Sequence, residues 1–439
     1  MFSIAFAVTQ IIGTARDFGI PQYIVQEKEL TAARVKAAQT VSIIISWALG
    51  LCLALISGPA ADFYQDPRVR QLVLLLSLNF VLLPFGQVSM GYLQKTFQFQ
   101  KVMAIGIASA VVSAVTVVCL AMLGYGALSM AVANIAGSAV TVAGAVACRP
   151  RDVPMGLGLK DAGRILSFGT QITLIHAMYA VGARTPSLMI AKLLSFSAAG
   201  SYERASSLVE VFNTTIMQAV WKVTLPIFSR DSHDLVAVRG TYLKVTAYLT
   251  GIGFPFFIFL AVLSPSVIHV LLGPKWSEAA AILTFLALSG AVNLCIGTSH
   301  NLLTALGRVA VIPRIVAAGY LIYFPLIGLL APFGIAAIGG GVLVATVLAV
   351  ALTQYLLRKE IPIVDLARIL ARSFAAALPV LVVALGARFL LPPMSSFALA
   401  AALVGVAAVC AAAWFVVLRW VRHPLCEEIT RARRVIAAR

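Results

Sequence analysis

Charge is scarce in this chain. Of 439 residues only 11% are Asp, Glu, Lys or Arg, and the acids number 16. A soluble domain of this length carries roughly a quarter charged residues, so a soluble globular fold is excluded. Cysteine is also sparse. Cys52, Cys119, Cys148, Cys295, Cys410 and Cys426 lie in or near apolar runs, with no CxxC or Cys/His spacing. That excludes a disulfide framework and a metal site, and nothing in the sequence calls for a cofactor. No polar interval is long enough for a soluble domain. Catalytic acids or bases gathered in an external loop, as a membrane polymerase or glycosyltransferase needs, are missing as well.

Apolar residues fill the space left by charge, at 61% of the chain. A bilayer-spanning helix needs about 20 mainly apolar residues, and thirteen segments qualify as whole or partial spans. The first, Phe2 to Thr14, is short and has neither the basic start nor the small-residue cleavage site of a signal peptide. The others are 39 to 58, 71 to 91, 102 to 123, 127 to 147, 165 to 191, 205 to 228, 244 to 272, 279 to 305, 309 to 331, 334 to 357, 369 to 391 and 396 to 418. The fold class is all-α, a polytopic membrane protein of about 13 transmembrane segments.

The formal charge of +17 comes from basic residues scattered between apolar runs, not gathered on a face, so no nucleic-acid partner is implied. They read as topology determinants. If the loop after the first segment is cytoplasmic and sides alternate, 26 of the 33 Lys and Arg residues fall on the cytoplasmic side, including the tail with Arg431 to Arg434. The remaining 7 belong to the other side or to the membrane. The C-terminus is expected in the cytoplasm, the basic tail facing anionic lipid headgroups.

Weak anchors recur at a nearly constant offset. Pro59 to Pro67 ends one helix as Pro265 to Pro274 ends another; Leu93-Gln94-Lys95 matches Leu303-Thr304-Ala305, and Tyr125-Gly126-Ala127 matches Phe333-Gly334-Ile335. The offset of about 208 residues argues for two six-helix bundles related by duplication. The expected division is an N-terminal bundle at 1–148, a cytoplasmic linker at 149–164, a C-terminal bundle at 165–358, two additional helices at 359–420 and a tail at 421–439. On this offset the first bundle lacks its opening helix, and the expectation is a deletion or a start codon assigned late.

The opening helix of the second bundle carries the most unusual pattern. At about 100° per residue, Thr173, His176, Ala180, Arg184 and Ser187 fall within one sector of roughly 80°, a polar stripe on an apolar helix. Pro186, whose ring opposes the Gly182 carbonyl, is expected to bend or break it.

Motifs in order along the chain carry a resemblance. Asp17-Phe-Gly-Ile-Pro-Gln-Tyr-Ile-Val-Gln26 with Leu30-Thr31, Phe63-Tyr-Gln-Asp-Pro-Arg68, Gly200-Ser-Tyr-Glu-Arg-Ala205, Leu225-Pro-Ile-Phe-Ser-Arg230, Leu271-Leu-Gly-Pro-Lys-Trp276 and Ala305-Leu-Gly-Arg308 resemble signatures of the Wzx-type polysaccharide flippases. That family belongs to the superfamily that also holds MATE exporters and lipid II flippases. The chain departs from it at Arg184-Thr-Pro-Ser187, where many relatives carry an acid.

The resemblance implies a non-enzymatic protein that moves undecaprenyl-diphosphate-linked oligosaccharide across the inner membrane for exopolysaccharide, capsule or O-antigen synthesis, by alternating access between two bundles. Its implied partners are that lipid-linked substrate, membrane lipids and the polymerase and chain-length proteins of the same pathway. A monomer is expected.

A dianionic diphosphate needs cations inside a polar cavity, and the guanidinium fork suits it. The substrate-binding candidates are therefore Arg184, with Thr173, His176 and Gln171 on or near its face, and Arg204, Arg16 and Lys222 at helix ends. Alternative readings are a drug or proton antiporter of the same superfamily, which leans on membrane-embedded acids that the apolar segments lack, or a polymerase or scaffold of a polysaccharide pathway.

Overall fold

The computed structural model describes residues 16–27, 29–64, 67–149, 154, 156–390, 396–421 and 423–426, and every regular element among them is helical. In order these are α1 (Ile20–Gln26), α2 (Ala32–Tyr64), α3 (Pro67–Leu82), α4 (Pro84–Lys95), α5 (Phe99–Met122), α6 (Ala127–Ala147), α7 (Ala162–Leu193), α8 (Phe196–Phe212) and α9 (Gln218–Asp231). The second half continues with α10 (Leu235–Val262), α11 (Ser264–Leu272), α12 (Glu278–Asn293), α13 (Ser299–Ala305), α14 (Ile312–Leu330), α15 (Ile335–Leu357), α16 (Ile363–Leu390) and α17 (Ser396–Trp420).

Ten helical stretches among the described residues are long and apolar enough to cross a membrane. An eleventh span is α3 with α4, bent by 49° where Pro84 follows Leu83. Together they account for eleven of the thirteen expected segments. The run at 205–228 differs. It belongs to an unbroken helical stretch from Phe196 to Asp231, too polar to pass as an apolar span. The first segment, Phe2 to Thr14, and the basic tail Arg431 to Arg434 lie outside the described residues.

The chain forms two compact units. One holds Met1–Tyr179, Leu225–Ser229 and Thr304–Pro313, the other Ala180–Thr224, Arg230–Leu303 and Arg314–Arg439. The passage from one to the other falls inside α7, between Tyr179 and Ala180. The expected break at Pro186 does not occur, for α7 runs through it. Membrane helices tolerate proline, and one residue before the Gly182 carbonyl that Pro186 leaves without its amide, the Thr185 hydroxyl donates to the Val181 carbonyl at 2.8 Å.

In the first unit, Ile20, Tyr23 and Ile24 of α1 pack with Val35, Ala38 and Val41 of α2, Val88 of α4 and Ile165 of α7. Close approach makes this possible. Phe18 and Gly19 have φ of 42° and 63°, a conformation rare for a bulky residue such as Phe and held only where packing over-determines it. Phe18 is seated on Gly169 of α7, where a Cβ would lie 2.1 Å from the Phe18 ring and 2.7 Å from its carbonyl oxygen. Gly169→Ala is therefore expected to cost about 1–3 kcal/mol in thermal unfolding of the full chain. Gly106→Ala on α5, which meets nothing within 4 Å, serves as the neutral control; equal stabilities of the two variants would refute the wedge.

In the second unit, Phe212, Met217, Phe257, Leu260, Ile282 and Leu283 form the main core. Gly182 of α7 lies so close to Tyr320 of α14 that a Cβ would overlap the phenol hydroxyl.

Beyond the last span, buried His423 joins its turn to two helices. Its Nδ1 accepts from the Leu425 amide at 3.2 Å, which leaves Nε2 to donate to the Ser373 hydroxyl at 3.0 Å. Ser373 in turn reaches Thr250 at 2.8 Å, and Thr250 donates to the Thr246 carbonyl. Burial first, and the charge of Arg372 second, push the imidazole down to about 4.

A histidine held below its ordinary value of about 6.5 stabilises the fold fully above that value and less as pH falls towards 4. Wild-type protein is thus expected to lose thermal stability between pH 7 and pH 4.5, and His423→Asn to lose less over the same interval. Identical pH responses of the two would refute the role.

Candidate functional site

Each unit presents its own polar groups. In the first, the chain breaks at Asp17 to Gly19 before α1 restarts, and polar side chains gather on the break. Arg16 pairs with Asp17 at 2.9 Å and lies over the Phe80 ring at 5.3 Å. Gln87 of α4 donates to the same Asp17 oxygen at 3.0 Å and accepts from Ser42 at 2.7 Å. His176 of α7 is exposed. Gln171 is half-buried, and the buried Thr173 hydroxyl oxygen has no hydrogen-bond partner. Arg16 is thus a paired cation, and its neighbourhood includes an acid that the search for mid-helix carboxylates passes over.

A second polar knot in this unit is fully structural. The Glu27 carboxylate is buried, with Arg34 at 3.3 Å and Arg164 at 3.5 Å, while Arg34 also meets Asp161 at 3.5 Å. Lys95 donates to the carbonyls of Ile24, at 3.2 Å, and Glu27. These are the last carbonyls of α1, which a cation satisfies well. Burial, reinforced by the Glu27 charge, pushes the Tyr23 hydroxyl up to about 12. Arg34, Lys95 and Arg164 count in the sequence as topology determinants, and here they also tie α1, α2, α4 and α7 together.

In the second unit Arg184 is exposed on α7, and no acid pairs with it among the described residues. One turn on, Ser187 donates to Glu203 of α8. Arg204, next in the chain, does not pair with Glu203 but lies over the Trp276 ring at 5.4 Å, with Lys275 over the same ring at 5.9 Å. The indole packs beside Gly200 of α8, where a Cβ would meet it in ordinary van der Waals contact at 3.4 Å. Lys222 is exposed near the other end of the same helical stretch, about 27 Å from Arg204 at 1.5 Å per residue.

Between them lie polar residues that reading from apolar runs missed. Glu203 stands well inside α8, and Glu210 stands near the middle of the continuous stretch from Phe196 to Asp231, so acids are present within a helix whose run at 205–228 counts among the expected segments. Glu210 accepts from Asn213 at 3.0 Å, and the Thr214 hydroxyl donates to the Glu210 carbonyl at 3.0 Å. Asn213 to Met217 form a π turn, a feature frequent at functional sites. Farther on, Trp221 donates to the Gly297 carbonyl at 2.7 Å and Asn301 to the Thr224 hydroxyl at 2.7 Å. The residue types alone signalled this stripe, but their phase on the helix did not.

The fold defines the class, an all-helical protein with multiple candidate membrane spans. The solved structure of the lipid II flippase MurJ in an inward closed conformation superposes with a TM-score of 0.57 and 14% identity, over 95% of this chain and 98% of that one. The family is also shown by sequence: the profile of the polysaccharide biosynthesis proteins matches residues 1–281, and the chain belongs to that family.

It is similar to the teichuronic acid biosynthesis protein TuaB of Bacillus subtilis, 27% identical over 66% of this chain and 61% of that protein. It is likewise similar to the lipopolysaccharide biosynthesis protein WzxC of Escherichia coli, 24% identical over 70% of this chain and 63% of that one. The chain thus spans about three-fifths of the length of the curated relatives it matches.

Proposed function

We propose that this protein is a flippase that carries undecaprenyl-diphosphate-linked oligosaccharide from the cytoplasmic to the periplasmic leaflet of the bacterial inner membrane by alternating access. The observation that carries the reading is Arg184, an exposed arginine on an apolar span with no acidic partner among the described residues. Facing lipid, such a charge costs about 3 kcal/mol even on lenient scales. A diphosphate headgroup removes that cost and receives a bidentate fork. Membership in the polysaccharide biosynthesis family and the MurJ-like fold support the same substrate chemistry.

The 26 to 7 partition of basic residues supports a cytoplasmic C-terminus. In this reading the protein is not an enzyme, residues 1–148 and 165–358 are the duplicated bundles, and Arg204, Arg16, Lys222, Gln171, Thr173 and His176 supply secondary contacts to the substrate.

The reading is tested by reconstituting the full chain in liposomes that carry undecaprenyl-diphosphate oligosaccharide in both leaflets. The substrate should exchange between leaflets, as reported by oxidation of its sugar with external periodate, which then exceeds the outer-leaflet half. Oxidation that stops at that half, with the chain folded, would overturn the reading. An antiport alternative draws on Glu210; it predicts that a proton gradient drives efflux of a cationic dye from the same liposomes while the lipid stays in its leaflet.

A further inference from the structure

The π turn in the stretch from Phe196 to Asp231 decides which residues share a face. An α-helix advances about 100° per residue. Counted that way from Glu203, Ser207, Glu210 and Thr214 stay within about 40° of it, but Gln218 drifts to about 60° and Lys222 to about 100°. Met217, by the same count, would stand only about 40° from the line.

A π turn takes up one extra residue, close to one such step. The observed π turn at Asn213–Met217 therefore returns Gln218 and Lys222 to the line and swings Met217 off it. Exposure agrees. Glu203, Ser207, Glu210, Thr214, Gln218 and Lys222 are all exposed, whereas Met217 is 3% exposed, packs in the main core and lies against Gly297. The turn thus builds an unbroken polar line of six residues, one per turn, about 27 Å long at 5.4 Å per turn.

Two carboxylates on such a line cannot face hydrocarbon. Their charge is balanced by Lys222 on the line and Arg204 beside it. The diphosphate is already assigned to Arg184, and a balanced row of carboxylate, hydroxyl and amide groups suits a different ligand part, the hydroxyls of a sugar chain. One polar group per helical turn also matches the advance of a glycan by one pyranose ring. At the centre, the Glu210 carboxylate is held by the Asn213 amide at 3.0 Å and would repel a carboxylate on the sugar.

We propose that this line is the glycan track of the transporter and that Glu210 is a specificity-determining residue selecting uncharged sugars over uronic acids. The proposal rests on the flippase reading and adds to it the class of saccharide.

Single cysteines at Ser207, Thr214 and Gln218, with Ala205→Cys as the buried control (Ala205 is 0% exposed), are labelled in the full chain with a membrane-impermeant thiol reagent. Modification is read site by site by peptide mass spectrometry. The line should label about tenfold faster than Ala205→Cys, since thiol modification follows exposure. Three probes are then added separately: undecaprenyl diphosphate alone, the same lipid with a neutral hexose disaccharide, and the same lipid with a uronic-acid disaccharide.

Thr214→Cys should be protected by the neutral glycolipid and not by the bare carrier, and by the uronic-acid glycolipid only when Glu210→Gln is also present. Equal labelling of Thr214→Cys and Ala205→Cys, protection by the bare carrier alone, or equal protection by both glycolipids with Glu210 intact would overturn the proposal. If no probe protects any position, the liposome exchange assay separates the two failures. Exchange that persists sinks the glycan track alone; exchange that is absent sinks the flippase reading with it.

Discussion

Arg184→Ala is expected to reduce export of lipid-linked sugar about a hundredfold in a strain lacking the chromosomal copy, at unchanged protein level. A guanidinium on a diphosphate makes two charge-assisted hydrogen bonds, each worth about 1.5–3 kcal/mol, and loss of about 3 kcal/mol is roughly a hundredfold in binding. Arg184→Lys keeps the charge but not the fork, so it should fall between wild type and alanine. Arg184→Gln keeps reach and hydrogen bonding without charge, and should resemble alanine.

This order separates the roles open to Arg184. A residue that merely snorkels to headgroups would be replaced fully by lysine and tolerably by glutamine. Full export from Arg184→Ala, with surface polysaccharide measured by sugar analysis, would remove Arg184 from the transport machinery.

The second large effect concerns the first unit. Glu27→Ala is expected to cost about 3 kcal/mol, because it removes the acid from a buried pair and leaves Arg34 only the more exposed Asp161, 3.5 Å away. The Arg34 side chain is 19% exposed and the Glu27 side chain 5%, so neither regains full hydration when the other is lost. Arg164 is 60% exposed, and its pair with the same carboxylate should contribute under about 1 kcal/mol.

Thermal unfolding of Glu27→Ala and Arg164→Ala should therefore differ widely, with Arg34→Ala near the former. Near-equal shifts for Glu27→Ala and Arg164→Ala would show that the cluster is solvated and weak. Glu27→Gln adds a further check: it keeps the shape and should still lose part of the stability, since Arg34 keeps its charge and loses the buried one of its two counter-ions, Asp161 remaining at 3.5 Å.

The sequence by itself determined the class of protein, eleven of the expected spans and the family. The reason is that hydropathy is a local sum. Whether residues 102 to 123 can cross a bilayer depends on those residues alone, and motifs such as Asp17 to Gln26 are contiguous. Arg184 was visible for the same reason, as a lone charge in an apolar run.

What the tertiary structure decided depends on partners far apart in the chain or on the phase of a helix. Arg164 looks like any positive-inside residue until α7 brings it to Glu27. Arg204 stands next to Glu203 in the chain, yet packing lays it over the Trp276 ring. Gln218 and Lys222 count as off the polar face until one π turn, at residues with no helix-breaking signal, shifts the register by one residue. Ionisable side chains read the same in a sequence whether hydrated, paired or lining a track, because their energy is set by burial and by neighbours that only packing supplies.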